Sequence, residues 1–378
     1  MKIRAAVLAQ SGVARPYAQS RPLAIREVEL APPGPGEVLV RIRAAGLCHS
    51  DLSVISGDRP RPLPMVLGHE SAGEVVETGP GVGRLRAGDR VVLVFMPSCG
   101  CCLPCAEGRP ALCEPGAAAN SAGTLLSGER RLATPAGEPL NHHIGVSCFA
   151  DYAVVSERSC VRLEGETAEI SHAEAALFGC AVLTGAGAVI NTARVQAGTS
   201  AAVLGLGGVG FSALLAAVAS GARTVVALDL NDDKLALARE LGATHTVRAD
   251  APDAAEQVHA ATAGGVDHAF EMAGAIPALE LAWAITRRGG MTVSAGLPHP
   301  TKRFALPPVQ LVGEERTLRG SYIGSAVPVR DIPRYIGLYR QGRLPVDRLM
   351  GEQLPLERIN EGFDRMATGH ALRDVVLP

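Results

Sequence analysis

The densest chemistry in the chain lies in one short stretch. Cys99, Cys102, Cys105 and Cys113 follow a C-x2-C-x2-C-x7-C spacing. Four thiolates on a single lobe match a closed tetrahedral zinc site, which leaves no coordination position for a substrate and so serves local folding. Cys101 adds a fifth thiol. Even two-residue steps favour Cys102 over Cys101 as a ligand, although chemistry alone does not choose. Related spacings hold iron–sulfur clusters, but nothing else in the sequence points to electron transfer.

A second constellation is built from glycine. Ala201–Leu204 is apolar and runs straight into Gly205-Leu206-Gly207-Gly208-Val209-Gly210, followed by a helical pattern. In a strand–turn–helix, the first glycine makes the tight turn. The second lets the backbone approach a pyrophosphate, and the third lets helix and strand pack closely. The helix N-terminus then offers free N–H groups to the anion. A glycine-rich turn alone is weak evidence. Asp229, at the end of the next predicted strand, sharpens it, because a carboxylate there binds ribose hydroxyls and repels a 2′-phosphate. NAD is expected over NADP. Lys234 is a further candidate for the ribose, or else a solvated helix lysine.

Three scattered segments also stand out: Gly46-Leu47-Cys48-His49-Ser50-Asp51, Gly68-His69-Glu70 and Phe178-Gly179-Cys180. Taken singly, a cysteine is usually a small buried hydrophobe and a histidine usually structural. The adjacent His142 and His143 read as a satisfied loop pair rather than a third metal site.

These residues need elements to hold them. The first third is β-rich, with apolar runs at Glu37–Ala44, Gly73–Glu77 and Arg90–Phe95 and punctuation such as Pro32-Pro33-Gly34-Pro35-Gly36. This predicts an antiparallel, barrel-like unit. A helix is expected over Leu183–Thr192. Strands at Ser200–Leu204, Thr224–Leu228, Val266–Glu271 and Gly290–Ala295 then alternate with helices, the pattern of a parallel sheet covered on both faces. The end of the chain (Arg330–Tyr339, Leu356–Ala367, Asp374–Leu377) is expected to return to the first domain. The boundaries expected are 1–182 with a zinc lobe at about 97–114, then 183–324, then 325–378.

Composition limits the alternatives. The 378 residues are 47% hydrophobic and 20% charged, with net charge −2, which suits a two-domain globular protein and favours neither nucleic acid nor an anionic membrane. Met1–Val7 reads as a strand, not a signal peptide. A cytoplasmic location is expected, where cysteines serve as metal ligands or catalytic groups rather than disulfides.

Together these motifs resemble the zinc-containing alcohol dehydrogenases of the medium-chain dehydrogenase/reductase family, collinearly over essentially the whole chain. The resemblance implies an α/β fold, with a GroES-like β-barrel catalytic domain and a doubly wound Rossmann cofactor domain. It implies two Zn²⁺ per subunit and NAD. Cys48, His69 and Cys180 would ligate the catalytic zinc, with Glu70 behind them or as a transient ligand. Ser50 would hydrogen-bond the alcohol. His49 and Arg373 would contact the pyrophosphate, Thr184 and Val209 would border the nicotinamide, and Phe95, Ile144 and Leu297 would line the substrate pocket, with Leu318 and Ile323 as weaker candidates. The reaction implied is hydride transfer between an alcohol and NAD, with Lewis-acid help from the metal.

Two departures matter. Relatives often carry a histidine five residues after the first zinc cysteine to finish the proton relay; here Ser53 stands there. The stretch Glu114–Asn141 resembles the longer, typically dimeric animal-type and glutathione-dependent formaldehyde dehydrogenase branch, yet Ala117 replaces the arginine that binds the thiol adduct's carboxylate. A primary or secondary alcohol with a hydrophobic or aromatic group is therefore the expected substrate. A thiol-adduct formaldehyde dehydrogenase is the alternative. A non-enzymatic nucleotide-binding protein would be expected to lose Asp229, Ser50 or a ligand, and a zinc hydrolase would not need the dinucleotide fingerprint at Gly205–Gly210 or bind NAD. A homodimer is expected, with a tetramer as the variant.

Overall fold

The computed structural model of the chain describes residues 1–369 and 372–378. It divides into two units. The first contains Met1–Cys180, Val327–Gly337 and Val346–Pro378; the second contains Ala181–Ala326 and Leu338–Pro345.

In the first unit, β1 (Lys2–Leu8), β2 (Leu23–Leu30), β4 (Met65–Val66), β7 (Leu132–Ala133) and β8 (Pro139–His142) close a barrel. Ile3, Ala5 and Val7 alternate along β1 into its core, beside Val28, Leu30, Leu132 and Leu140. The long strand β3 (Glu37–Gly46) anchors a seven-stranded sheet with β5 (Ser71–Thr78), β6 (Arg90–Leu93), β9 (Tyr152–Ser156), β10 (Cys160–Arg162), β17 (Gln353–Pro355) and β18 (Val375–Leu377). The last strand lies antiparallel to β3, pairing Val375 with Gly46. Leu47 N–H donates to Asp374 O at 2.9 Å. The end of the chain is thereby laid beside Cys48.

The second unit is a six-stranded parallel sheet. Its order is β13 (His245–Arg248), β12 (Thr224–Asp229), β11 (Ser200–Leu204), β14 (Val266–Glu271), β15 (Thr286–Ser294) and β16 (Thr317–Gly320). Every residue of β11 is buried, as a central strand with helices on both faces requires. The chain reverses its direction of travel across the sheet between β11 and β14. In such sheets a dinucleotide binds outside the carboxyl ends of the strands at that switch point.

Two local features differ from the sequence expectation. The helix expected over Leu183–Thr192 is an α-helix at Ala181–Gly187 followed by a π-helical turn at Ala188–Ala193. A Cβ on Gly187 would lie 2.5 Å from Gly324 O, and Thr192 Oγ1 bonds the hydroxyls of Ser321 and Ser325 at 2.8 and 2.9 Å. That close backbone approach, not the apolar period, sets the helix geometry. The edge strands β13 and β16 carry polar residues and gave no apolar run to read. Among the described residues, no helix is long and apolar enough to cross a membrane.

Candidate active site

Three separate segments of the first unit converge. Cys48 caps the N-terminus of the helix His49–Ser56, which begins just after β3. His69 follows Gly68 (φ +93°), where a Cβ would collide with Phe149 N at 2.6 Å. Cys180 follows Gly179, which passes so close to β6 that a Cβ would sit 2.4 Å from Leu93 O. The sulfurs of Cys48 and Cys180 are 4.0 Å apart. With a His69 ring nitrogen, the three donor atoms lie within 4.8 Å of one another, all buried.

His69 shows which nitrogen is spare. Its Nδ1 lies 3.1 Å from Asp51 Oδ1, while its Nε2 is buried with no hydrogen-bond partner. A buried lone pair without a donor costs free energy; a metal ion would satisfy it. The thiols fit the same conclusion. The hydrogen bond from Cys180 pulls Cys48 well below the ordinary thiol range, and the same bond pushes Cys180 well above it. The pair gives up one proton readily and the second reluctantly, so a cation is what would stabilise both thiolates. Two sulfurs and one imidazole are a donor set suited to zinc with an open fourth position.

Asp51 is a side chain of this site that sequence reasoning missed. It sits in the first turn of its helix, where a carboxylate is easily read as a capping group. Here it is fully buried and accepts from Gly68 N at 3.1 Å. His143 Nδ1 is 3.0 Å from the same oxygen. Burial opposes its charge, yet the two imidazoles hold it below the usual carboxylate range. His142 points elsewhere and accepts from Arg131 N at 3.0 Å through Nε2.

Glu70 is also fully buried. Burial pushes its carboxyl up to about 7 while Arg373 works against that shift. Arg373 Nη2 donates to Glu70 Oε2 at 2.5 Å and Nη1 donates to Leu47 O at 2.7 Å. The structure thus places Arg373 as the buried partner of Glu70; a pyrophosphate contact would have to be made by an arginine already committed twice. Ser50 is half-buried and His49 exposed in the same helical turn. Ser53 Oγ donates back to His49 O at 2.8 Å. The Phe95 ring meets the His69 ring edge-on at 5.3 Å. Ile144 is buried with φ +39°, whereas Leu297, in the second unit, is exposed. Of the weaker candidates there, Leu318 is exposed and Ile323 buried.

The cysteine lobe is ordered by its own backbone. Cys99, Cys102, Cys105 and Cys113 bring their sulfurs within 4.8 Å of one another. Cys102 N–H and Cys101 N–H donate to Cys99 Sγ at 3.2 and 3.4 Å, and Cys99 N–H donates to Cys113 Sγ at 3.1 Å. The two amides on Cys99 lower its thiol to about 6, whereas burial pushes Cys105 up to about 12. Cys101 is exposed and outside the set, 3.6 Å from Cys99 Sγ.

In the second unit, Gly205 has φ +90° and Gly210 could not carry a Cβ, which would lie 1.8 Å from Gly205 O. A Cβ on Gly207 would meet nothing. The fold itself therefore demands the outer glycines, whereas the middle one leaves its backbone open to an approaching group. Gly207 caps the helix Gly208–Ala219, so Gly208 and Val209 present its first amides. Asp229, at the end of β12, accepts from Leu206 N at 2.6 Å and Asn231 N at 3.0 Å. The helix cap is Asn231, which accepts from Lys234 N. Thr184 lies in the helix Ala181–Gly187, where a Cβ on Gly185 would lie 2.1 Å from Val209 O. Thr184 and Val209 thus come from two helices in backbone contact.

Known proteins share this fold. The profile of the alcohol dehydrogenase GroES-like domain matches residues 34–165, and that of the zinc-binding dehydrogenases matches residues 208–340. The chain is 35% identical over 386 residues to an S-(hydroxymethyl)glutathione dehydrogenase of Paracoccus denitrificans, covering all of both chains. A zinc-binding-domain alcohol dehydrogenase protein from Burkholderia ambifaria superposes with TM-score 0.93 at 38% identity, covering 100% of this chain and 99% of that one. The benzyl alcohol dehydrogenase of Acinetobacter calcoaceticus gives 0.92 at 32%, with the same coverage. Full-length identity, both profiles and two cysteine clusters agree: the chain belongs to the zinc-containing alcohol dehydrogenases of the medium-chain dehydrogenase/reductase family.

Proposed function

We propose that the protein oxidises a primary or secondary alcohol carrying a hydrophobic or aromatic group, reversibly, with NAD as hydride acceptor. The observation that carries this reading is the partnerless, buried Nε2 of His69 facing the Cys48–Cys180 pair. Cys48, His69 and Cys180 would hold the catalytic zinc, and the cysteine lobe the structural one. When bound, the catalytic metal supplies Lewis acidity that lowers the pKa of the substrate hydroxyl. Asp51 fixes the His69 tautomer by accepting its Nδ1 proton, leaving Nε2 as donor atom. Ser50 Oγ takes and passes on the hydroxyl proton. Ser53 does not continue that path as a base, because its hydroxyl donates to His49 O; water or another group carries the proton outward. Phe95 excludes water on the His69 side.

Asp229 supports NAD over NADP. It already holds the glycine turn through Leu206 N, and a 2′-phosphate would meet its charge. His49 and Arg373 for the pyrophosphate, Lys234 for the ribose, Thr184 and Val209 for the nicotinamide, and Ile144 and Leu297 for the substrate complete the reading. So does a homodimer. The edge strand β16 is exposed throughout, and Val309 and Val312 of the neighbouring helix Pro308–Gly313 are 76% and 77% exposed, a surface a second copy would cover. A cytoplasmic location suits thiolate ligands.

The Paracoccus relative favours a second reading, oxidation of a thiol–formaldehyde adduct. The helix Glu114–Ala122 instead carries the exposed, uncharged Ala117. An NAD-coupled screen of benzylic, aliphatic, terpenoid and polyol alcohols, and of formaldehyde with and without glutathione, separates the two. Thiol-independent turnover of hydrophobic alcohols is expected. Turnover confined to formaldehyde plus thiol would reverse the assignment.

A further inference from the structure

Glu271 ends β14 and is 1% exposed. Among the described residues it has no ion-pair partner, and its two oxygens are taken by neutral donors. Gly274 N–H donates to Oε1 at 2.5 Å and Ser294 Oγ–H to Oε2 at 2.8 Å. Its backbone oxygen accepts from Ala295 N at 3.0 Å and Gly296 N at 3.3 Å. A buried carboxyl without a cation adds little to stability that an apolar residue of similar size would not. What it does is geometric: it ties the turn after β14 to the turn after β15.

Those turns are packed backbone to backbone. A Cβ on Gly296 would lie 2.2 Å from Gly274 N and 2.7 Å from Glu271 Oε2. The β14 turn also reaches the glycine-rich turn, because Met272 N donates to Leu204 O at 2.9 Å and a Cβ on Gly205 would lie 2.8 Å from Ala273 Cβ. The carboxyl ends of β11, β14 and β15 thus form one continuous rim. Asp229 marks the adenosine half of the crevice, on β12. In a doubly wound sheet the second mononucleotide half falls to the strands beyond the switch point, which here begin with β14.

We propose that Glu271 is a positioning residue for the nicotinamide half of the cofactor, holding the turns at 272–275 and 294–297 in the shape that half binds. It touches no cofactor atom itself. The proposal rests on the dinucleotide reading above. Without the tie, binding must order both turns, and every 1.4 kcal/mol of that cost weakens affinity about tenfold.

The test compares NAD with 5′-AMP, which reaches only the adenosine half, by calorimetry on the zinc-loaded full chain. Glu271→Leu should raise the NAD dissociation constant roughly tenfold or more, and Ser294→Ala about threefold, with AMP within about twofold for both. Glu271→Gln keeps an acceptor for Gly274 and a polar contact for Ser294, and should stay within about threefold of wild type. Unchanged NAD binding in Glu271→Leu, equal loss of NAD and AMP, or damage from Gln as large as from Leu would overturn the proposal. If Glu271→Leu does not fold, Ser294→Ala decides by the same NAD-to-AMP comparison. Wild-type preference for NADP would instead sink the NAD reading, and the comparison would be made with NADP.

Discussion

Asp51 Oδ1 lies 3.1 Å from Nδ1 of His69, with both side chains completely buried. That contact turns the other ring nitrogen toward the two thiols and keeps its lone pair unspent. A carboxylate behind a metal-binding histidine fixes the tautomer and raises ligand basicity, and its loss costs roughly 10- to 100-fold in metal affinity. Asp51→Asn should therefore weaken zinc at the catalytic site by about that factor in a chelator competition. Occupancy of the cysteine lobe should not change. Equal retention of both metals by Asp51→Asn would remove Asp51 from the role.

Cys101 and Cys102 make a sharper pair. Only Cys102 joins the four-sulfur cluster. Cys101→Ser should keep two zinc ions per chain by elemental analysis, whereas Cys102→Ser should lose one and lower thermal stability, since a structural zinc supplies folding free energy. The reverse pattern would exchange the two assignments.

His142 sets a pH dependence. Burial lowers its pKa to about 3, from an ordinary value near 6.5 in the unfolded chain. Between those values the unfolded state binds more protons, so stability falls as pH falls from 6.5 toward 3, by at most about 1.4 kcal/mol per unit from this group. His142→Gln retains an acceptor for Arg131 N and should flatten the denaturation profile over pH 4–6.5 by up to about that slope. Parallel profiles for the two proteins would show that His142 is not the group responsible.

Asp229→Gly should weaken NAD binding and shift the NAD-to-NADP preference toward NADP, because the repulsive charge leaves. Leu206 N loses its acceptor in the same variant, so some loss for both cofactors is expected; the ratio is the diagnostic. An unchanged ratio would mean the ribose is read elsewhere.

The sequence was unevenly legible. The cysteine lobe and the glycine turn are local: spacing alone groups Cys99 with Cys113, and Gly205 with Gly210 and Asp229. The parallel sheet was legible through its buried strands, but β13 and β16 were not, because edge strands need no apolar run. Cys48, His69 and Cys180 are scattered along the chain and were joined only by family resemblance. In the structure, tight passages at Gly68 and Gly179 bring them together. Asp51 and Glu271 were illegible for a related reason. Each acts through partners from distant segments, His69 and His143 for one and Ser294 for the other. No local pattern distinguishes them from a capping carboxylate or a strand-end glutamate.

In the proposed reaction, Cys48, His69 and Cys180 hold the zinc ion on which NAD-linked alcohol oxidation depends. Its most direct measurement is NADH formation from benzyl alcohol and a panel of hydrophobic alcohols by the zinc-loaded chain, beside Cys48→Ala. Wild type should turn over. Cys48→Ala should lose at least roughly a hundredfold to a thousandfold, the scale of removing an electrostatic stabiliser of the transition state, with its fold and lobe zinc intact. Retained turnover in Cys48→Ala, or none by wild type with any alcohol, would contradict the account.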